Sequence, residues 1–273
     1  YKVHNLDADG NLSTLAEIPE QPSGLGWLPD GSLIIVSMLD RKLMKLKDGE
    51  LSIHADMSHL TPYQCNDMVI AKDGTAYVGN FGTDSVESKI HKTCLISVTQ
   101  EGETKIGADG LLFPNGTVIS PDGKELIVGE TFGGNLTSFQ INESGELSHR
   151  TIWARVMPLH FKIITSIIRF LNIPLKESNS TPFPVPDGIC LDSDNGIWVA
   201  SPTTSEVIRF KKGGKITDRI ATPQPAYACM LGGKDEKELF ILTAESSNPQ
   251  FCKENKTGEI YKVLVDYERA GEP

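Results

Sequence analysis

Apolar and polar residues alternate along this chain in short runs, and the runs repeat. Five segments share one pattern: Ser23-GLGWLPDGSLIIVS, Asn66-DMVIAKDGTAYVGN, Asn115-GTVISPDGKELIVGE, Asp187-GICLDSDNGIWVAS and Ala228-CMLGGKDEKELFILT. Each reads as a small or polar residue, an apolar strand, a tight turn and a second apolar strand. The turns Pro29-Asp30-Gly31, Lys72-Asp73-Gly74, Pro121-Asp122-Gly123, Asp194-Asn195-Gly196 and Gly232-Gly233-Lys234 supply the positive φ that hairpins need. A third alternating strand often follows, as at Lys42–Leu46 and Glu206–Phe210. The repeats start at 23, 66, 115, 187 and 228. A period of about 40–50 residues with several strands per unit predicts a β-propeller and excludes a helical solenoid. The whole chain, 1–273, reads as a single all-β domain.

One gap is long. It holds an insertion at about 157–185, in which Phe161, Ile164, Ile167, Ile168 and Leu171 recur at helical spacing between Pro158 and Pro174. This predicts a helix, with three readings: an apolar lid over the channel mouth, a helix packed on a blade, or an interfacial helix on a membrane. Membrane contact is the least favoured, because Lys162 and Arg169 are its only basic anchors.

Composition narrows the chemistry. The chain carries 36 acidic against 26 basic residues, a net charge of −10, which excludes nucleic acid as a natural partner. No apolar run reaches the roughly 18–20 residues of a spanning helix. The five cysteines are widely spaced and without C-x-x-C, so buried reduced thiols are expected, favouring the cytoplasm. No nucleophile elbow, H-E-x-x-H or P-loop occurs, and the six histidines lack metal-ligand spacing. Asp7-Ala8-Asp9-Gly10 and Asp192-Ser193-Asp194-Asn195-Gly196 only faintly resemble calcium loops and read as blade turns.

The first residue of each repeat is where chemistry is expected. Equivalent residues at the start of each inner strand converge at one mouth of a propeller channel. Here they are Ser23, Asn66, Asn115, Asp187 and Ala228. Three carry amide or carboxylate oxygens, the hard donors that Ca²⁺ selects, although Asn and Asp also precede strands as ordinary turn formers.

These same residues carry a resemblance. Gln64-Cys65-Asn66-Asp67, Phe113-Pro114-Asn115-Gly116, Pro186-Asp187-Gly188-Ile189-Cys190-Leu191-Asp192, Pro22-Ser23-Gly24-Leu25-Gly26-Trp27 and Cys229-Met230-Leu231-Gly232-Gly233 resemble, in order, motifs of the regucalcin, gluconolactonase and luciferin-regenerating-enzyme family. The resemblance implies a six-bladed propeller with one divalent metal, usually Ca²⁺, in its channel. It implies metal ligation by Asn115 and Asp187, with Asp187 also the catalytic base. Asn66 would act catalytically by orienting substrate, and Asn66, Asp67 and Gln64 would bind it. It implies hydrolysis of lactones or related esters, some relatives acting on organophosphates.

Three departures follow. The family's ligand Glu, in a Glu-x-Pro-x-Trp type motif of the first blade, is not found. Residues 1–20 read instead as the outer strands of that blade: Tyr1–Leu6, a turn at Asp9-Gly10, and Leu12–Ile18. Either an upstream segment supplies the inner strand, or the protein lacks it and binds metal weakly, or residues 1–20 close a five-bladed ring. Glu17, Glu20, Glu130 and Glu245 are conceivable substitutes, but none sits at the repeat phase and none is expected to serve. Gln64 stands where relatives can carry a sugar-gripping Arg, and the insertion hints at a more apolar substrate. The competing reading is a non-enzymatic propeller that binds a small ligand or a protein. Oligomeric state is not legible.

Overall fold

The computed structural model describes residues 1–7, 10–83, 89–158 and 183–271. They fall into two units, Tyr1–Pro114 and Asn115–Pro273. The first holds a two-stranded sheet, β1 (Lys2–Leu6) with β2 (Leu12–Glu17), and two four-stranded sheets. These are β3 (Pro22–Trp27), β4 (Leu33–Ser37), β5 (Lys42–Lys47) and β6 (Glu50–Asp56), then β7 (Cys65–Ile70), β8 (Ala76–Asn80), β9 (Thr93–Val98) and β10 (Thr104–Leu111). The second unit holds β11 (Pro114–Ile119), whose first residue closes the first unit, then β12 (Glu125–Glu130), β13 (Asn135–Ile141) and β14 (Leu147–Arg155). It continues with β15 (Ile189–Leu191), β16 (Gly196–Ser201), β17 (Glu206–Lys211) and β18 (Ile216–Ala221). Its last sheet has three strands, β19 (Ala226–Gly232), β20 (Glu238–Thr243) and β21 (Glu259–Leu264).

Every sheet is an antiparallel meander in strict chain order, the blade unit of an all-β, propeller-like fold. Five such blades are present among the described residues. The hairpin β1–β2 forms where residues 1–20 were expected to give outer strands, and among the described residues it pairs with no third strand. The predicted insertion helix lies outside the described residues, apart from the flanks 157–158 and 183–185. One helix was not expected: α1 (Pro249–Glu254) in the β20–β21 connection. Its sequence signal is Asn248-Pro249, an N-cap whose side chain accepts from the backbone of Gln250 and Phe251, followed by a proline at the first helical position.

Four of the five blade turns form as expected, with a second role for their aspartates. Asp30, Asp73 and Asp122 each accept the backbone N–H two residues on, at 2.9–3.1 Å. That is the Asx turn, which favours Asp over other turn formers. Asp192 extends it, accepting from the N–H groups of Asp194 and Gly196. The cation facing Asp192 is a guanidinium: Arg209 donates Nε to Oδ2 at 2.7 Å and Nη2 to Oδ1 at 3.0 Å. Arg209 also donates to Thr217 and lies 3.5 Å over the Tyr267 ring. The loop is a blade turn, as read from the sequence, and an internal arginine completes it.

Neighbouring blades touch through their first strands at glycines. A Cβ on Gly24 would lie 2.6 Å from the Met68 backbone nitrogen, and one on Gly116 would lie 2.4 Å from the Asp187 carbonyl oxygen. On Gly188 it would meet the Ala228 Cα at 2.8 Å. These contacts are to backbone, which cannot swing aside. The glycines that follow Ser23, Asn115 and Asp187 are therefore packing residues, and their recurrence is no signal of a site. Gly116→Ala should lower stability by about 1–3 kcal/mol, the cost of overpacking, read as a reduced urea midpoint at unchanged m-value.

The same packing shows where a face is bare. Met68, Ile70, Ile189 and Leu191 are at most 5% exposed, whereas Leu25 and Trp27, at the corresponding places on β3, are 37% and 60% exposed. The β1–β2 hairpin lays Val3 and Ala16 against Leu33 and Ile35 of β4 and leaves that side of β3 uncovered.

Candidate functional site

In four of the five blades the first strand carries a β-bulge at its start. Pro22 pairs with Ser37 and Leu25 with Ile35, so Ser23 and Gly24 together oppose Val36. Cys65 pairs with Asn80 and Met68 with Val78, so Asn66 and Asp67 oppose Gly79. Asp187 donates to, and Gly188 accepts from, the one residue Ala200. Two residues facing one re-aim the side chains there, a device common beside functional sites. Ser23, Asn66 and Asp187, read from the sequence as chemically important, open three of these bulges.

In the first unit, Ser23 Oγ donates to Asn66 Oδ1 at 3.2 Å, linking two bulges. Asp67 accepts from the Met68 N–H at 2.9 Å. Burial pushes its carboxyl up to about 6, and the Met68 hydrogen bond only partly opposes this. Gln64 is half-buried, and its carbonyl accepts from the Phe81 N–H at 3.0 Å. Phe81 stacks on Phe113 with ring centroids 4.3 Å apart, so the backbone leading to Asn66 is braced by an aromatic pair. Phe113 holds φ at 55°, which is uncommon for a bulky residue. The adjoining Cys65 is fully buried, and burial raises its thiol to about 12. It is a packing residue, as expected.

In the second unit, Asn115 is buried, and its Nδ2 donates to Thr131 Oγ1 at 3.0 Å. Thr131 passes its own proton to the Pro186 carbonyl at 2.8 Å. The chain of bonds fixes the amide, with its nitrogen toward Thr131. It also ties Asn115 to the residue before Asp187, and the Gly116 N–H donates to the Asp187 carbonyl at 3.2 Å. The structure thus brings Asn115 and Asp187 together. Thr131 escaped sequence reading, because it lies in the β12–β13 connection, off the repeat phase.

One predicted position is corrected. The last repeat was phased on Ala228, but Ala226 pairs with Thr243 and Ala228 with Leu242. The bulge therefore comprises Tyr227 and Ala228, and Tyr227 is the counterpart of Ser23, Asn66 and Asp187. The Gly188 N–H donates to the Tyr227 carbonyl at 2.9 Å, as the Gly116 N–H does to that of Asp187. The phase slipped because the β19–β20 turn is longer: Gly232 pairs with Glu238, enclosing residues 233–237, where Leu28 meets Ser32 around 29–31. Burial raises the Tyr227 phenol above its ordinary value; a hydrogen bond from Ser247 opposes this, and the Asp187 carboxylate and Cys252 are the charged neighbours.

Two of the off-phase glutamates have other partners. Glu130 is buried, accepting from Thr137 Oγ1 and pairing with Arg150 at 3.0 Å, and Glu17 pairs with Lys2 at the surface. Among the described residues no group of three or more His, Cys, Asp and Glu could hold a metal ion. What Asn115 and Asp187 offer is an amide and a carboxylate, a hard-oxygen set suited to Ca²⁺ with water completing its shell, and unsuited to zinc. Four of the five cysteines are buried thiols, and Cys252, on α1, is exposed.

These blades define a propeller-like protein, and comparison with known proteins places it further. The chain belongs to the family described as SMP-30/Gluconolactonase/LRE-like region, which matches residues 1–245. Regucalcin from Sus scrofa is 31% identical over 83 residues, 29% of this chain and 28% of that protein. The alignment thus spans little more than a quarter of the curated relative's length. Among solved structures, a calcium-binding regucalcin from Agrobacterium tumefaciens superposes with a TM-score of 0.74 at 18% identity, over 100% of this chain and 85% of that one. A gluconolactonase from Xanthomonas campestris gives 0.67 at 22% identity, over 89% and 75%. At these identities the structural likeness shows the fold. Among the described residues no helix is long and apolar enough to cross a membrane.

Proposed function

We propose that this chain hydrolyses lactones or related esters with the help of a divalent cation, Ca²⁺ by the chemistry of the donors, held by Asn115 and Asp187. The observation that carries the reading is the fixed pair in the second unit: a buried Asn115 locked through Thr131 to the residue preceding Asp187. Bound calcium would polarise the ester carbonyl and offset charge developing on its oxygen. Asp187 accepts the proton of a water as that water attacks the carbonyl carbon. The carbon–oxygen bond of the ring then breaks, the ring oxygen takes a proton from solvent, and Asp187 returns its own to solvent, leaving a hydroxy acid. Family resemblance assigns Asn66 to orienting substrate and Asp67 and Gln64 to binding it. Gln64 carries no charge to grip a sugar acid, and its backbone is bonded to one of two stacked phenylalanines, which favours less polar lactones.

The six-blade count and the metal's identity belong to the same proposal. The specific observation on the other side is the missing acidic cluster among the described residues, which favours a propeller that binds a ligand without turning it over. An assay separates the two. Hydrolysis of δ-valerolactone, dihydrocoumarin or glucono-δ-lactone should disappear with chelator and return with Ca²⁺. Turnover untouched by chelation would overturn the metal assignment, and no turnover of any of the three would leave the binding reading.

A further inference from the structure

Tyr227 was invisible as a site residue in the sequence, because the repeat seemed to place Ala228 there. Two features set its backbone next to that of Gly188, beside Asp187, and a third holds its phenol. The strand register makes it the first residue of the last blade's bulge, the place held in other blades by Ser23, Asn66 and Asp187. Its carbonyl receives the N–H of Gly188, which fixes its backbone one residue from Asp187. Its half-buried phenol is hydrogen-bonded to Ser247, in the β20–β21 connection that carries α1. That connection is itself anchored at the head of β19, where the Ala244 N–H donates to the Pro225 carbonyl at 3.1 Å. Asn248 caps α1 right after Ser247, so Ser247 has a defined place from which to hold the phenol.

A phenol in this place has a definite chemistry. It is a neutral O–H donor at an oxygen-lined site whose other named groups, the Asp187 carboxylate and the Asn115 amide oxygen, are acceptors. Ester hydrolysis needs donors as well, because negative charge grows on the departing ring oxygen as the bond breaks. We propose that Tyr227 is a further catalytic residue, donating a hydrogen bond to the ring oxygen of the lactone as it leaves, with Ser247 holding the phenol in position. The proposal rests on the hydrolase reading above. Bond making and proton traffic are those already given; the phenol keeps its proton and stabilises the alkoxide until solvent protonates it.

The test compares wild type, Tyr227→Phe, Ser247→Ala and Asp187→Asn, each with Ca²⁺, on two substrates with different leaving groups. δ-Valerolactone releases an alkoxide and dihydrocoumarin a phenolate, which needs far less help. For Tyr227→Phe the expected result is a fall in kcat on δ-valerolactone of about 10²-fold, the scale for removing one preorganised donor. On dihydrocoumarin the fall should be at least several-fold smaller. KM and the calorimetric affinity for Ca²⁺ should stay within about twofold. Ser247→Ala should lie between wild type and Tyr227→Phe, and it keeps the question answerable should Tyr227→Phe fold poorly. Equal losses on both substrates, or weakened Ca²⁺ binding, would make Tyr227 a structural residue and overturn the proposal. So would full activity of Tyr227→Phe beside an inactive Asp187→Asn, leaving the hydrolase reading intact. A wild type inactive on both lactones would overturn the hydrolase reading and this proposal with it.

Discussion

Asp187→Asn should abolish lactone hydrolysis while leaving the fold untouched. The substitution keeps the size and shape of the side chain, and the backbone bonds of residue 187, to Ala200 and Gly116, involve no side-chain atom. Far-ultraviolet circular dichroism and the thermal midpoint should therefore match wild type. Chemically the change is severe. An amide does not accept a proton from water near neutral pH, so the base is lost, and the negative charge that holds the cation is lost with it. General-base catalysis alone is worth about 10²–10⁴-fold. With the cation weakened as well, kcat on δ-valerolactone should drop by at least about 10³-fold. Raising Ca²⁺ should restore binding of the cation but not turnover. Turnover within tenfold of wild type would remove Asp187 from the role of base.

The second large effect concerns stability. Arg209 and Asp192 are both wholly buried, and their paired hydrogen bonds at 2.7 and 3.0 Å hold the β15–β16 turn to β17. Replacing both partners with apolar residues of similar volume can be nearly neutral, but removing one leaves a buried charge without its counter-ion. Arg209→Met should thus cost about 3–5 kcal/mol, a shift in urea midpoint that equilibrium unfolding resolves easily. The guanidinium also fills the space against Gly196, where a Cβ would lie 2.4 Å from it, and covers the Tyr267 ring. The double change Asp192→Leu with Arg209→Met should recover part of the loss. A single variant as stable as wild type would mean that water reaches the pair.

The contrast between Asp192 and Asp187 explains why sequence alone could only go so far. Both are aspartates beside a strand of the same blade, and both lie within one motif that resembles the family's. One is neutralised inside the protein by an arginine seventeen residues away; the other lies at a bulge beside a buried, fixed asparagine. Linear spacing does not distinguish them, because the deciding partner comes from another strand in one case and from another blade in the other.

What the sequence determined by itself is the repeat. Alternating apolar residues and Asp-Gly turns specify each hairpin locally, since turn geometry and strand pleat act over neighbouring residues. The blades, their order and the β1–β2 hairpin were legible for that reason. Tertiary structure alone decided the rest. A bulge is a difference in count between two paired strands, so only the observed register could move the last position from Ala228 to Tyr227. Thr131 reaches Asn115 across a turn that carries no repeat signal, and the glycines after the site residues proved to answer to backbone packing between blades. Local pattern sets which elements form; which side chains meet at a site depends on register and on contacts between elements far apart in the chain.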